Sequence, residues 1–190
     1  MRGTRRRLGT PVPLHVAHGL SAVGEHAAGW LVLGGLGALT QRTRRAEWAR
    51  GAALVLTAHA ASVALKRIIR RERPDLLDLP GLVATPSRLS FPSSHATSTT
   101  AAAILYAPMV GVAPAATVAG AMAVSRVLLG VHYPTDVLAG AALGAGVAVS
   151  GRAALRRRRR RRAVQLRRSA ARPETATPAP SAAPASTSVG

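Results

Sequence analysis

Apolar residues in this chain come in blocks rather than in stripes. Gly29–Thr40 contains no Asp, Glu, Lys or Arg, and neither does Ala52–Leu65, which ends at Lys66. Thirty residues free of those types separate His95 from Arg126, interrupted near the middle by Pro108, Gly111 and Pro114. That interruption predicts a helix, a turn and a second helix. Val137–Ser150 is the last apolar block. Helices apolar on every side belong in lipid or in a large protein interior, and 190 residues offer little interior for several of them. A bilayer span needs about 20 apolar residues. Most of these blocks are shorter, so polar ends must complete each helix while long basic side chains snorkel to the interface. The expected fold is all-α: a polytopic membrane helix bundle of about five transmembrane helices. Pro11–Gly24, with His15 and His18, adds a sixth if it crosses rather than lies in the interface. The alternative from the same lengths is a soluble bundle of core helices.

Charge sharpens this picture. The chain has 26 Lys and Arg against 7 Asp and Glu, a net charge of +19, yet 48% of it is hydrophobic. So few acids would leave most basic groups of a soluble globule unpaired. The basic residues gather instead at edges: a short arm at Met1–Arg7, an unbroken run at Arg156–Arg162, then Arg167 and Arg168. From Pro173 onward the chain is Pro, Ala, Thr and Ser without large apolar residues, the composition of a disordered tail. The expected organisation is a basic arm over 1–10, a membrane-embedded domain over 11–155 and an Arg-rich then Pro/Ala/Ser/Thr-rich tail over 156–190. The N-terminus lacks the order of a removable signal peptide. With five spans, an Arg42–Arg50 loop and the Arg156–Arg162 run share one side. That side carries more Lys and Arg than the Lys66–Arg88 side, which predicts a cytoplasmic C-terminal tail. The absence of Cys removes disulfides, thiolate metal sites and cysteine nucleophiles. Five aromatic residues argue against a base-stacking module.

Three polar groups abut the apolar blocks, where polar side chains are costly. Lys66 to Arg73-Pro74 holds five basic residues. It reads either as a juxtamembrane helix end touching lipid phosphates or as a phosphate clamp of guanidinium forks and an ammonium. Phe91-Pro92-Ser93-Ser94-His95 reads as a helix start capped by Ser93 or Ser94. Its outward N–H groups suit an anion, although an ordinary cap beside a solvated His gives the same pattern. Ser125-Arg126 and His132-Tyr-Pro-Thr-Asp136 form the third group. Pro134 suits a first helical turn. Four residues separate His132 from Asp136, close enough for the carboxylate to accept from Nδ1–H and leave Nε2 as a nucleophile or base. A helix-start His with a capping Asp is the plainer account. His15, His18, His26 and His59 recur at no metal-binding interval, Glu25-His26 being a weak exception.

Taken in order, Lys66-x6-Arg73-Pro74, Pro92-Ser93-x-His95 and Ser125-Arg126-x5-His132-x3-Asp136 resemble the type 2 phosphatidic acid phosphatase family. That family shares its active-site design with the vanadium haloperoxidases. The resemblance covers about Ala46 to Gly151 and is far more specific than any one motif. It implies that His132 attacks phosphorus, Asp136 orients its ring, and His95 protonates the leaving oxygen and then activates water. Lys66, Arg73, Arg126 and the N–H groups around Ser93 and Ser94 would hold the phosphate oxygens. These cations do the work of divalent metals, so no metal or other cofactor is expected. Arg67, Arg70 and Arg71 are read as surface or lipid contacts. One departure is Ser94, where the family often has Gly; a backbone N–H survives the change, and the hydroxyl narrows the pocket.

A narrower resemblance rests on Gly24–Leu31, His59–Val63 and Thr85–Thr100. These segments are similar to an actinobacterial branch of the family, the decaprenylphosphoryl-5-phosphoribose phosphatases of cell-wall arabinan synthesis. The implied enzyme is a multi-pass plasma-membrane lipid phosphatase with an extracytoplasmic site. Its partners would be a polyprenyl-linked phosphate substrate and membrane lipids, with no specific nucleic acid. A polyprenyl diphosphate phosphatase fits the residues equally well. A basic membrane protein that gathers anionic lipid or nucleic acid on its Arg run is the non-enzymatic alternative.

Overall fold

The computed structural model describes Gly19, residues 27–74 and residues 87–170. The Met1–Arg7 arm, His15, His18, Glu25, His26 and the Pro/Ala/Ser/Thr tail lie outside the described residues. Among the described residues five α-helices follow one another: α1 (Ala28–Thr40), α2 (Arg45–Ile69), α3 (Ser94–Val110), α4 (Val112–Leu128) and α5 (Pro134–Ala170). No strand occurs among the described residues; Glu72 and Leu89 form an isolated antiparallel bridge. Contacts divide the chain into two units, Met1–Ala153 and Ala154–Gly190. The second unit begins near the middle of α5, at Ala154, and carries the Arg run on exposed helical residues.

Local chemistry accounts for the boundaries. Gly111, at φ 97°, supplies the left-handed turn that separates α3 from α4, at the Pro/Gly break in the sequence. Pro134 opens α5, with Asp136 in its first turn. Arg42–Arg50 is not a loop. A 3₁₀ turn over Arg42–Arg44 leads straight into α2, with Glu47 in the first turn. Arg44 there donates to the carbonyl of Pro108 at 2.9 Å, so the α1–α2 and α3–α4 connections share one end of the bundle.

Helix α3 packs against α2 and α4, and α5 also closes on it. A Cβ at Gly144 would collide with the carbonyl oxygen of Thr97, and one at Gly140 would meet Ser93 O. This Gly140-x3-Gly144 stripe is the small-residue device that lets two apolar helices approach backbone to backbone. Trp48 and Tyr106 pack with ring centroids 5.0 Å apart in the core. Outward faces remain apolar: Val32 is 60% exposed, Leu39 70%, Val112 73% and Leu138 70%.

Two segments, Arg42–Ile69 and Pro134–Ser169, are long and apolar enough to cross a bilayer. Only 22% of each apolar window is buried, whereas the core helix of a soluble bundle would be mostly buried. Helices α1 and α4 are apolar but shorter.

Candidate active site

The three polar groups meet where α2 and α4 end and α3 and α5 begin. Arg70 terminates α2 in the left-handed region, φ 54°, and donates its N–H to the carbonyl of Lys66 at 2.9 Å. This turn redirects residues 71–74 into an extended segment paired with 88–90. Arg73 N donates to Arg88 O at 3.1 Å, and Ser90 N to Arg71 O at 2.7 Å. The Ser90 hydroxyl donates to the carbonyl of Glu72 at 2.8 Å. Lys66, 8% exposed, donates to the carbonyls of Leu89 and Ser90, both at 3.1 Å. The clamp residues are thereby fixed to the strip that leads into α3.

Arg73 donates through Nε to Ser87 O at 2.8 Å and through one terminal nitrogen to Val131 O at 2.7 Å. The same nitrogen lies 3.3 Å from His132 Nε2. Arg126, 2% exposed, lies within electrostatic reach of Arg73 and donates through Nε to the Ser125 hydroxyl at 3.2 Å. Burial draws the Arg73 guanidinium below its ordinary pKa, yet an arginine keeps its charge in proteins. His132 is pushed from 6.5 down to about 4 by burial, with the nearby positive charges of Arg73 and Lys66 adding to the effect against Asp136. Its imidazole is therefore neutral at pH 7.

Asp136 is fully buried. Its Oδ2 accepts the backbone N–H of Tyr133 at 2.9 Å and lies 3.6 Å from His132 Nδ1. That distance exceeds hydrogen-bond length, and Nδ1 has no hydrogen-bond partner. The contact is electrostatic, and a closure of about 0.7 Å would convert it to a hydrogen bond. The other oxygen, Oδ1, accepts from Arg71 at 3.0 Å. Arg71 also donates to the Thr135 hydroxyl at 2.9 Å and stacks 4.1 Å over the Tyr133 ring. Arg71 is thus part of the site and not a surface or lipid contact.

Ser93 is the N-cap of α3, and its hydroxyl accepts from Ala96 N at 3.4 Å. Its own N–H donates to the carbonyl of Asp136 at 2.9 Å and so is not a donor for phosphate. That bond instead ties the start of α3 to the start of α5. Ser94 keeps a buried hydroxyl without a hydrogen-bond partner. His95 follows in the first turn of α3, half-buried. Among the described residues, no group of three His, Cys, Asp or Glu side chains is placed to hold a metal ion.

An imidazole set between a buried carboxylate and a cluster of cations, at the end of an apolar helix bundle, is the plan of a membrane phosphatase, a phosphoric monoester hydrolase. The chain belongs to the PAP2 superfamily, whose family model matches residues 47–160. It is 49% identical over 137 residues to the decaprenylphosphoryl-5-phosphoribose phosphatase of Mycobacterium tuberculosis, covering 72% of this chain and 77% of that protein. To the protein of the same name from Mycolicibacterium smegmatis it is 53% identical over 132 residues, covering 70% and 73%. In fold it matches a transmembrane PAP2-type phosphatidylglycerolphosphate phosphatase from Bacillus subtilis. The TM-score is 0.66, with 24% identity and coverage of 78% of this chain and 79% of that one.

Proposed function

We propose that this enzyme removes the 5-phosphate of decaprenylphosphoryl-5-phosphoribose through a phosphohistidine intermediate. The observation that carries the mechanism is the setting of His132. Nε2 lies 3.3 Å from the Arg73 guanidinium, and Nδ1 lies 3.6 Å from a buried carboxylate. A phosphomonoester dianion would draw Arg73 off Nε2 and occupy the space among Lys66, Arg73, Arg126 and the Ser94 hydroxyl. His132 Nε2 then attacks phosphorus; the N–P bond forms as the P–O ester bond breaks, and His95 protonates the departing sugar oxygen. Asp136 closes on Nδ1–H as the ring gains positive charge. In the second half, His95 takes a proton from water, whose oxygen attacks phosphorus and releases inorganic phosphate with His132 restored. The cations stabilise the equatorial oxygens throughout.

The substrate assignment rests on the two relatives from mycobacteria and on a site at helix ends, where a lipid-linked headgroup sits at the interface. Phosphate release by the detergent-purified protein, with a chelator present, tests it. Release from the polyprenylphosphoryl phosphoribose should exceed release from a polyprenyl diphosphate. The reverse order would move the enzyme to carrier-lipid recycling, and no release from either would refute the mechanism.

The Lys and Arg distribution supports an extracytoplasmic site and a cytoplasmic Arg-rich tail, with five bilayer crossings, or six if Pro11–Gly24 also crosses. A cysteine placed between residues 75 and 86 should react with an impermeant thiol reagent on intact cells. Labelling only after lysis would reverse the orientation.

A further inference from the structure

An apolar cavity lies outside the cation cluster. Trp30 and Leu33 of α1, Thr99 to Val110 of α3, and Pro114 to Val118 of α4 line a space of about 220 Å³. The geometry points to this cavity as the seat of the hydrocarbon chain of the lipid-linked substrate, holding the isoprene units nearest the phosphorylated headgroup. The inference rests on the phosphatase reading above and adds to it where the tail is gripped.

Three observations carry it. The first is register. His95, Thr99, Ala102, Ala103, Tyr106 and Val110 fall within one face of α3 about 100° wide. The cavity opens one turn, about 6 Å, below His95 and extends about 16 Å along the helix to Val110. It is therefore continuous in direction with the site rather than a separate surface feature.

The second is the fate of the polar atoms on its wall. Trp30 Nε1 donates to the Thr99 hydroxyl at 3.1 Å, and the Tyr106 hydroxyl donates to the carbonyl of Trp30 at 3.0 Å. Each polar group satisfies another, so the wall offers a ligand only apolar contact. Such a cavity rejects headgroups and sugars, which would lose their hydrogen bonds to water on entry, and accepts unfunctionalised hydrocarbon. The third is size. A cavity of about 150 Å³ takes up benzene, so 220 Å³ accommodates about nine carbons, close to two isoprene units. Because a tail already in the bilayer gains nothing by leaving water, the selectivity comes from packing against rigid walls.

The test fills the cavity from two sides, with Ala103→Leu and Val118→Phe, and reads two properties. The first is hydrolysis of a two-isoprene phosphoryl phosphoribose against ribose 5-phosphate, which has no tail. Each variant should lower kcat/KM for the tailed substrate about tenfold, a normal penalty for a blocked apolar pocket. Ribose 5-phosphate hydrolysis should stay within about twofold of the parent. The second is labelling by a prenyl phosphate with a diazirine on its second isoprene unit. It should mark α3 and α4 in the parent and lose that mark in Val118→Phe.

Equal loss on both substrates, or labelling indifferent to Val118→Phe, would overturn the assignment. So would a change in thermal stability without any change in tail selectivity, which would make the cavity a packing defect and not a tail site. Labelling without hydrolysis keeps the cavity and removes the phosphatase reading; hydrolysis without labelling does the reverse.

Discussion

His132→Ala should lower turnover by at least about 10⁴-fold, the scale on which enzymes lose a nucleophile that works as part of a unit. The variant should keep its helical content and its melting behaviour in detergent. The ring is buried, but its polar contacts are few: an electrostatic approach to Asp136 and a 3.3 Å approach to Arg73. Removing it also relieves Arg73 of its approach to the ring and leaves the other cations in place, so substrate binding should weaken little while the chemical step disappears. A KM change without loss of kcat would contradict the nucleophilic role. The parent enzyme, quenched during turnover, should yield an acid-labile, base-stable phosphoryl group on the peptide containing residue 132, and His95→Ala should accumulate it only from an aryl phosphate, whose leaving group needs no acid. The pH behaviour follows from burial. His132 is held at about 4, so it is neutral, and competent as a nucleophile, well below the range of an ordinary histidine. In ¹⁵N spectra of the free enzyme its ring should read as neutral through about pH 5.5; a ring already charged at about pH 6 would show that the cations do not act on it as described.

Most of the helix order is legible in the sequence because punctuation and chemistry coincide. Pro108, Gly111 and Pro114 mark the α3–α4 turn, Ser93 caps α3 and Pro134 opens α5. Each polar group therefore sits at a helix boundary, and alternating helix direction brings three boundaries together. The Arg42–Arg50 stretch is deceptive because dense charge resembles a loop. Glu47 near the start of α2 instead favours the helix dipole and pairs with Arg44 at 3.4 Å.

Two features of the site depend on backbone geometry that residue spacing does not carry. The N–H of Ser93 is consumed by Asp136 O, a bond between helices whose packing rests on Gly140 and Gly144. Arg71 joins the site because Arg70 turns left-handed and residues 71–74 run extended beyond it, so residues 71 and 73 point to one side. A pair of arginines two apart just before a proline is the available signal. A helix continued as far as the proline would hide it, since residues two apart on a helix do not share a face.

Asp136→Asn should cost about 10²- to 10⁴-fold in kcat, and the reason lies in how many donors the carboxylate serves. Its two oxygens accept from Arg71 and from Tyr133 N–H, and they stand ready for His132 Nδ1–H at 3.6 Å. An amide has one acceptor oxygen and presents N–H groups on the other side. Whichever way it turns, it abandons either the Tyr133 N–H or the Arg71 guanidinium, and an N–H facing Nδ1 favours the wrong tautomer. The comparable exchange in a Ser-His-Asp triad costs about 10⁴-fold for that tautomeric reason. Arg71 then becomes a measurable partner. In the parent it holds Oδ1 and so aims Oδ2 at the ring, and its 39% exposed side chain lets it swing toward water or an incoming phosphate. Arg71→Met should leave Asp136 undivided but unaimed, raise the His132 pKa above about 4 and lower kcat about tenfold. Arg71→Lys, which restores charge without the fork, should recover part of that loss. In the Asp136→Asn background the same Arg71→Met change should cost less than about twofold, because the carboxylate through which it acts has gone. Additive losses in the double variant, with the His132 pKa unmoved, would mean that Arg71 works on the substrate and not through Asp136.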